Sequence, residues 1–448
     1  MENNYDLIVI GAGPGGYLAA ERAGARGKKT LLIEKEKSLG GVCLNRGCIP
    51  TKALLNSAKI FYTAQNSQQL GIAVTGIEYD LKKAMDWKSK TVSVLTKGVE
   101  LQMKRHKVEV ITAAAKFESR NIISAGSKNY GAENIIIAAG SSPLKLLIPG
   151  ADKPNVLTSD EILEIKKLPK DITIIGGGVI GIEFASYFSL LGVHVRVIEF
   201  LPEILSNFDA DIAALIRSSL KNCEFITGAK VVSIDDNKIN FIKNGKEESC
   251  PAELILLSVG RKPNVENLGL ENINIDFDKK GIKVNERMQT NVPNIYAVGD
   301  VTGKSLLAHS AYRMGEVAVN NIFMQKDKMR YNAIPWVVYS YPELSGVGLT
   351  EDQAKKEGRN VKVSSLQMRA NGRFIAEHGN EKGICKVIVD AGTNVLLGVT
   401  LLGGANSEII YGVAAMIEAE FRVKDIKDII FPHPTVSEII KDTLWELN

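Results

Sequence analysis

The chain has 448 residues, enough for about three domains of ordinary size, and its five cysteines are too few for a disulfide-rich secreted scaffold. Its 55 basic and 51 acidic residues leave a net charge of +4 with both signs interspersed, which argues against nucleic acid binding. No apolar run approaches the ~18 residues of a membrane helix, and we expect no signal peptide because an acidic start precedes the first strand. We therefore expect a cytoplasmic protein whose paired cysteines, if any, are catalytic.

A strand, a glycine turn and a helix are predicted near the amino terminus. The strand runs from Leu7 to Ile10, the turn is Gly11-Ala12-Gly13-Pro14-Gly15-Gly16, and an alanine-rich helix follows from Tyr17 to Arg26. Such glycines permit a tight turn, the approach of a pyrophosphate to backbone N–H groups, and close contact between helix and strand. The next strand, Thr30 to Ile33, ends in Glu34, whose carboxylate can bind a ribose diol. The pattern predicts a dinucleotide site.

The most specific segment follows and reads Gly40-Gly41-Val42-Cys43-Leu44-Asn45-Arg46-Gly47-Cys48-Ile49-Pro50-Thr51-Lys52. Its CxxxxC spacing is typical of neither a zinc ribbon nor a CxxC redox motif. A regular helix would hold residues five apart too far from each other for a disulfide, so a bond here requires a distorted helix, which Gly47 and Pro50 would supply. Two thiols that never meet are the alternative.

The strand–turn–helix pattern then recurs. The strand from Ile172 to Ile175 leads into the turn Gly176-Gly177-Gly178-Val179-Ile180-Gly181, a helix from Ile182 to Leu191, and a strand from Val193 to Ile198 that ends in Glu199. Each element lies 165 residues after its counterpart. The repeat predicts a second dinucleotide site.

The second site is predicted to prefer NAD over NADP. Glu199 is followed by Phe200-Leu201-Pro202, so no positively charged side chain follows that could bind a 2′-phosphate. The carboxylate of Glu199 would itself repel that phosphate. Arg196 is the nearest basic residue, but the alternation of side chains along a strand directs it to the face opposite Glu199.

A candidate general base lies near the carboxy terminus. His433 stands between Pro432 and Pro434, and Glu438 follows five residues later, where a loop entering a helix could return it to the imidazole. A carboxylate on one ring nitrogen fixes the tautomer of a catalytic histidine. The remaining histidines and cysteines carry no such context, so we expect surface, pocket-lining or apolar roles for His106, His194, His309, His378, Cys223, Cys250 and Cys385.

The segment GGVCLNRGCIPTK between two dinucleotide motifs resembles the flavoprotein disulfide reductases of the class I pyridine nucleotide-disulfide oxidoreductase family. The resemblance continues through Ile136 to Pro143, Gly260 to Asn264, Ile295 to Asp300, Leu306 to His309, and His433 to Glu438. It implies an α/β fold with two Rossmann-like dinucleotide-binding domains, a central domain and an α+β dimerisation domain. The implied boundaries are 1–143 for FAD and the redox disulfide, 144–263 for NAD, 264–333 for the central domain, and 334–448 for the interface.

The resemblance also implies the site residues. Catalytic roles would fall to Cys43, Cys48, His433, Glu438, Lys52 and Glu183, with Lys52 and Glu183 paired near the reactive nitrogen of the flavin. FAD would be bound by Gly11, Gly13, Pro14, Gly16, Glu34, Gly41, Lys52, Ala115, Gly140, Ser141, Asp300, along the ribityl chain, and Ala308, beside the ring. NAD would be bound by Gly176, Gly178, Val179, Ile180, Gly181, Glu199, Val231 and Gly260. No metal is expected.

Local features select among the branches of the family. The segments Arg369 to Arg373, Tyr341 to Gly348 and His433 to Glu438 are similar to those of members that oxidise protein-bound dihydrolipoamide with NAD. Glutathione reductases typically have tyrosine where this chain has Val179, and no cysteine follows Cys385 to form a second redox pair. The resemblance implies a homodimer in which His433 completes the partner's site. It also implies lipoyl domains of 2-oxoacid dehydrogenase complexes or the glycine cleavage H protein as partners.

Two alternatives stay open: a reductase for another low-molecular-weight disulfide, and a docking subunit with an idle redox site. Arg46 and Ala139 depart from the commonest family pattern, where valine and threonine stand. Arg46 lies beside the disulfide, so its charge could tune a thiolate or the choice of partner.

Overall fold

A computed structural model describes residues 4–447. The strands are β1 (Asn4–Ile10), β2 (Thr30–Glu34), β3 (Glu109–Thr112), β4 (Ala115–Ser119), β5 (Ile122–Ala125), β6 (Lys128–Ile137), β7 (Ser141–Pro143), β8 (Val156–Thr158), β9 (Asp171–Ile175), β10 (His194–Glu199), β11 (Cys223–Thr227), β12 (Ala229–Ile234), β13 (Lys238–Lys243), β14 (Lys246–Pro251), β15 (Leu254–Leu257), β16 (Arg261–Pro263), β17 (Phe277–Asp278), β18 (Gly281–Ile282), β19 (Ile295–Ala297), β20 (Trp336–Val338), β21 (Leu344–Gly348), β22 (Val361–Gln367), β23 (Ile384–Asp390) and β24 (Leu396–Leu402). The α-helices are α1 (Pro14–Ala25), α2 (Gly41–Arg46), α3 (Cys48–Gln65), α4 (Leu81–Arg105), α5 (Val179–Leu190), α6 (Ala210–Ser219), α7 (Ala308–Ile322), α8 (Glu351–Lys356), α9 (Gly372–His378), α10 (Asn406–Glu418), α11 (Val423–Asp428) and α12 (Glu438–Trp445). Short 3₁₀ helices span Ser67–Leu70, Glu161–Glu164, Glu271–Ile273, Gly299–Thr302 and Met368–Ala370.

The chain divides into two compact units, each built from separate stretches of sequence. The described part of the first comprises residues 4–54, 82–144 and 260–330, and that of the second comprises residues 55–81, 145–259 and 331–447. The division into four domains at 143, 263 and 333 stays a prediction.

The first unit is built on a seven-stranded sheet in the order β3-β2-β1-β6-β5-β4, with β19 also paired to β6. The central strand β1 runs parallel to both β2 and β6, so that Ile8 lies opposite Leu31 on one side and Ile135 on the other. All three of these side chains are fully buried, as expected of a parallel sheet covered on both faces. The carboxyl ends of β1 and β2 therefore bring the first glycine turn and Glu34 together.

The second unit contains a five-stranded parallel sheet in the order β11-β10-β9-β15-β8. Its strands β9 and β10 and helix α5 are the second copy of the repeat. A three-stranded antiparallel sheet, β12-β13-β14, follows in the same unit. Both copies of the dinucleotide-binding pattern thus form strand, turn, helix and strand, as predicted.

A third sheet of the same unit is antiparallel and has the order β20-β21-β24-β23-β22. Buried residues such as Val387 and Val399 of this sheet share a core with Ile410 of α10 and Ile440 of α12. Helix α12 begins at Glu438. Its first turn is held in place because Ile439 and Ile440 are buried. The predicted α/β class with an additional α+β domain is confirmed.

Both nucleotide-site helices begin three residues earlier than the sequence indicates. The predicted starts are Tyr17 and Ile182, but α1 begins at Pro14 and α5 at Val179. The glycine turns themselves supply the first helical turn. Proline fits at this position because its missing N–H has no intrahelical partner there.

A buried lysine joins distant segments of the second unit. The Lys386 Nζ atom lies 2.6 Å from Glu351, 3.1 Å from Asp209 and 3.3 Å from Asp211. The side chains of Lys386 and Asp209 are only 6% and 3% exposed. Burial alone would lower the pKa of Lys386, but the bonds to Glu351 and Asp209 raise it above its ordinary value, so the lysine stays charged.

We expect Lys386→Met to destabilise the fold, because it leaves the buried Asp209 carboxylate without its cation. Breaking a buried ion pair from one side costs about 3 kcal/mol or more in free energy of unfolding. Urea denaturation of the purified full-length protein measures this. The exposed Lys382 is the matched control, and equal midpoints for Lys386→Met and Lys382→Met would contradict the assignment.

Candidate active site

Cys43 and Cys48 form a disulfide, with their Cα atoms 4.7 Å apart. Cys43 lies in α2, Cys48 begins α3, and Gly47 between them has φ −149° and ψ −110°, which no helix accommodates. The predicted interruption of the helix is confirmed at Gly47, whereas Pro50 lies within the first turn of α3 and does not interrupt it.

Cys43 faces a cavity of ≈ 590 Å³ in the first unit. Helix α1 contributes Tyr17 to its lining and α7 contributes Tyr312, and the hydroxyl groups of these two tyrosines are hydrogen-bonded to each other. Among the described residues, Cys48 is not part of this lining. The two cysteines of the disulfide therefore have different surroundings.

The first glycine turn is held by backbone contacts that only glycine permits. Gly11 has φ +98°, and a Cβ atom there would lie 2.4 Å from the carbonyl oxygen of Ala138. A Cβ atom on Gly16 would lie 1.8 Å from the carbonyl oxygen of Gly11. The Glu34 carboxylate accepts hydrogen bonds from the backbone N–H groups of Ala12 at 2.7 Å and Glu36 at 2.9 Å.

The second turn repeats this geometry. Gly176 has φ +109°, and a Cβ atom on Gly181 would lie 2.0 Å from the carbonyl oxygen of Gly176. The Glu199 carboxylate accepts from the N–H groups of Gly177 at 2.6 Å and Leu201 at 2.8 Å. The two copies are therefore equivalent in atomic contacts as well as in sequence.

The space at the first turn suits a pyrophosphate. A Cβ atom on Gly41 would lie 2.5 Å from the Cα atom of Gly13, whereas one on Gly13 would meet nothing nearer than 4.0 Å. Helix α1 begins directly after Gly13, so its unpaired N–H groups lie beside this space. In the second copy a Cβ atom on Gly178 would meet nothing within 4 Å. Both turns thus fit the phosphates of a dinucleotide.

Asp300 provides a further acceptor in the first unit. Its carboxylate accepts a hydrogen bond from the Ser141 hydroxyl at 2.6 Å, and Arg261 donates to the same hydroxyl oxygen at 2.7 Å. Burial raises the pKa of the Asp300 carboxyl above its ordinary value, although the bond from Ser141 and the charge of Arg261 oppose this. A carboxylate held this way suits the hydroxyl groups of a ribityl chain.

The other predicted site residues lie on defined elements. Lys52 is on α3, Ala115 begins β4, Gly140 precedes β7, Ala308 begins α7, Val179 and Ile180 begin α5, Val231 is on β12 and Gly260 precedes β16. Glu183 is buried on α5, and its Oε1 atom accepts from the Tyr339 N–H at 3.1 Å. The pairing of Lys52 with Glu183 stays a prediction.

His433 and Glu438 are in contact within the second unit. The Nδ1 atom of His433 lies 3.0 Å from Oε1 of Glu438, whose Oε2 accepts from the Thr435 N–H at 2.8 Å. The bond from Thr435 and the contact with His433 hold the pKa of the Glu438 carboxyl below its ordinary value. Glu438 is therefore fully ionised at any pH above its ordinary pKa, and its contacts stabilise this loop there. This stabilisation is lost only as the pH falls through the lowered pKa. The His433 side chain is 82% exposed, so Nε2 is accessible.

The three other cysteines are apolar in character, as expected. Burial raises the pKa of Cys223 and of Cys385 to about 12, and it also raises that of Cys250.

Arg196 forms ion pairs with Asp171 and Glu224, each at 2.9 Å, and is not available to a 2′-phosphate.

Neither a metal site nor a membrane-spanning helix is found among the described residues. Across residues 4–447, no group of three or more histidine, cysteine or acidic side chains could hold a metal ion. Within the same range, no helix is long and apolar enough to cross a membrane.

Family models cover most of the chain. Residues 5–315 match the pyridine nucleotide-disulphide oxidoreductase family, and residues 334–444 match the dimerisation domain of that family. The chain belongs to this family. The matched dimerisation domain supports the predicted homodimer.

Individual relatives show which members of the family the chain is similar to. The chain is 39% identical to a dihydrolipoyl dehydrogenase of Bacillus subtilis, over 98% of this chain and 97% of the relative. It is 40% identical to that of Thermus scotoductus, over 97% and 95% of the two chains. Among solved structures it is similar to the HOCl-induced flavoprotein disulfide reductase RclA from Escherichia coli, with a TM-score of 0.88, 29% identity, and coverage of 99% and 100%. The resemblance drawn from the motifs is confirmed, and with it FAD and NAD as cofactors of this flavoenzyme.

Sequence reasoning missed two features of the site. The Tyr17–Tyr312 contact joins residues 295 positions apart, and no sequence pattern marks it. Glu21 and Arg22 line the Cys43 cavity together with Tyr17. Glu21 lies four residues after Tyr17 on α1, and Arg22 lies four residues after Leu18, which also lines the cavity. These spacings are a usable signal, because residues three or four apart share a helix face.

Replacing Glu199 is expected to relax the preference for NAD. Glu199→Gln removes the charge that would repel a 2′-phosphate and keeps a group that can accept the Gly177 N–H. We expect the ratio of kcat/KM with NADP to that with NAD to rise about tenfold, equivalent to ~1.4 kcal/mol. Steady-state kinetics with both nucleotides measures this, and an unchanged ratio would show that Glu199 does not select the nucleotide.

Proposed function

We propose that the chain is a dihydrolipoyl dehydrogenase that oxidises protein-bound dihydrolipoamide to lipoamide and reduces NAD⁺ to NADH. The observation that carries this is a disulfide facing a cavity in a chain with two equivalent dinucleotide turns. Full-length similarity to dihydrolipoyl dehydrogenases supports the choice of substrate. When bound, FAD accepts two electrons from the reduced cysteine pair and passes them to NAD⁺ as a hydride.

The two cysteines take different parts in this proposal. A substrate thiolate attacks the Sγ atom of Cys43, which forms a mixed disulfide and releases Cys48 as a thiolate. The second substrate thiol then displaces Cys43, so lipoamide leaves as a disulfide and both cysteines are reduced. The position of Cys43 in the cavity lining supports its role as the attacked residue.

His433 is proposed to hold the proton in these steps. Its Nδ1 is bonded to Glu438, which fixes the tautomer and leaves Nε2 to take the proton of the substrate thiol. The 82% exposure of this side chain on its own subunit suits a residue that completes a site in the partner subunit. Lys52 and Glu183 are proposed to lie by the flavin, together with Asp300 and Ala308.

The proposal includes the partners and the location. Lipoyl domains of a 2-oxoacid dehydrogenase complex or the glycine cleavage H protein would present the substrate arm. The low number of cysteines supports a cytoplasmic location, where thiols are kept reduced.

The direct test measures NADH formation by the FAD-loaded protein with dihydrolipoamide, with glutathione and with reduced coenzyme A as alternative thiols. We expect activity with dihydrolipoamide and none with Cys43→Ser. Activity confined to another thiol would identify a different reductase. No NADH formation by the wild type with any of these thiols would favour the docking role.

Removal of His433 is expected to impair only the thiol half of the reaction. His433→Gln should lower kcat with dihydrolipoamide by a factor of about 10²–10⁴, the usual range for a general base. Glu438→Gln should have a smaller effect, because the imidazole remains. Electron transfer from NADH to an artificial acceptor needs no substrate thiol, so an equal loss there would count against the assignment.

Mixed dimers distinguish a site within one subunit from one shared between two. Refolding equal amounts of Cys43→Ser and His433→Gln subunits should restore about a quarter of the wild-type activity, because half the dimers carry one intact shared site. If His433 serves its own subunit, every site stays defective and activity is not regained.

A further inference from the structure

The wall of the Cys43 cavity carries two charged side chains of opposite sign. They are Glu21 and Arg22, neighbours on α1, and they form part of the same lining as Tyr17 and Cys43. The other polar side chains of the lining, Tyr17, Tyr312 and Gln102, are neutral. The charges of the cavity lining therefore balance.

The cation of this pair is compensated from two sides. One guanidinium nitrogen of Arg22 lies 3.5 Å from Oε1 of Glu21, and the other lies 3.7 Å from Glu316 on α7. Glu21 is 14% exposed and its Oε1 atom also lies 3.5 Å from Nε2 of His106. A carboxylate that enters the cavity would thus meet an arginine already engaged and a carboxylate of like sign.

The neutral groups favour an amide-bearing substrate. The Tyr17 and Tyr312 hydroxyls bond to each other, which leaves one O–H proton of the pair available to a further acceptor. Burial and the bond with Tyr312 raise the pKa of the Tyr17 hydroxyl, so Tyr17 stays protonated. Gln102 offers both an amide donor and an amide acceptor.

We propose that Glu21, with Glu316, makes the Cys43 cavity select dithiols whose arm is uncharged and reject those whose arm ends in a carboxylate. Glu21 acts by repulsion and through its ion pair with Arg22. Glu316, which also lies 3.7 Å from Arg313, acts on the cavity only through its ion pair with Arg22. This rests on the proposed function and makes the two acids specificity-determining residues of the same site. The consequence is a preference for dihydrolipoamide over dihydrolipoate, which differ only in an amide against a carboxylate.

The test is the ratio of kcat/KM for dihydrolipoate to that for dihydrolipoamide, measured at one pH for all variants. Glu21→Gln should raise this ratio about two- to fivefold, the factor that corresponds to an exposed ion pair. Glu316→Gln should raise it less, because Glu316 is outside the lining. Arg22→Gln should lower it by a similar factor, because Glu21 is then uncompensated.

Matched controls exclude an effect of net charge alone. Arg26→Gln, on the same helix but bonded to Asn320 and Gln325, and Glu118→Gln, on β4 beside Ser124, should leave the ratio unchanged. Dihydrolipoamide serves as the internal reference for folding of each variant. Oxidation of both dithiols with a ratio that Glu21→Gln and Arg22→Gln do not move in opposite directions would overturn the inference. Oxidation of neither dithiol by the wild type would instead overturn the proposed function.

Discussion

Each glycine turn is tied to the end of the neighbouring parallel strand by a carboxylate, and the placement of the disulfide follows from the first of these ties. Glu34 binds the Ala12 N–H, and Glu199 binds the Gly177 N–H. A hydrogen bond to a charged group contributes about 1.5–3 kcal/mol, more than a neutral one. The same carboxylates stand where a ribose diol would bind, so a side chain that recognises a nucleotide also fixes the turn that cradles its phosphates.

The position of the segment that carries Cys43 and Cys48 depends on the first of these turns. The carbonyl oxygen of Ala12 accepts a hydrogen bond at 2.8 Å from the N–H of Gly40, which directly precedes α2. Gly41 then lies against Gly13, where a larger residue would not fit. Cys43 is two residues further on, so the disulfide is positioned by backbone contacts to the turn that suits the pyrophosphate. A substitution that opened the turn would therefore move the thiols as well.

The sequence predicts the parts of this arrangement that are local in the chain. The repeat at an offset of 165 residues, the ends of β2 and β10 at Glu34 and Glu199, and the helix break at Gly47 all follow from residue type and spacing. The prediction fails by three residues at the helix starts, because a glycine turn and a first helical turn share the same residues. Contacts between distant segments, such as Tyr17 with Tyr312 or Lys386 with Asp209, depend on how elements assemble, and periodicity carries no information about that.

The five cysteines have the same side-chain chemistry, and their surroundings decide which of them can react. Thiol–disulfide exchange needs a thiolate, and burial stabilises the neutral thiol. With their pKa raised to about 12, Cys223 and Cys385 stay protonated at neutral pH, and Cys250 is shifted in the same direction. Cys43 instead reaches a cavity, in a helix that ends three residues later so that Cys48 can approach it. Reactivity is therefore confined to one pair by burial elsewhere, and no further cysteine competes with the substrate dithiol.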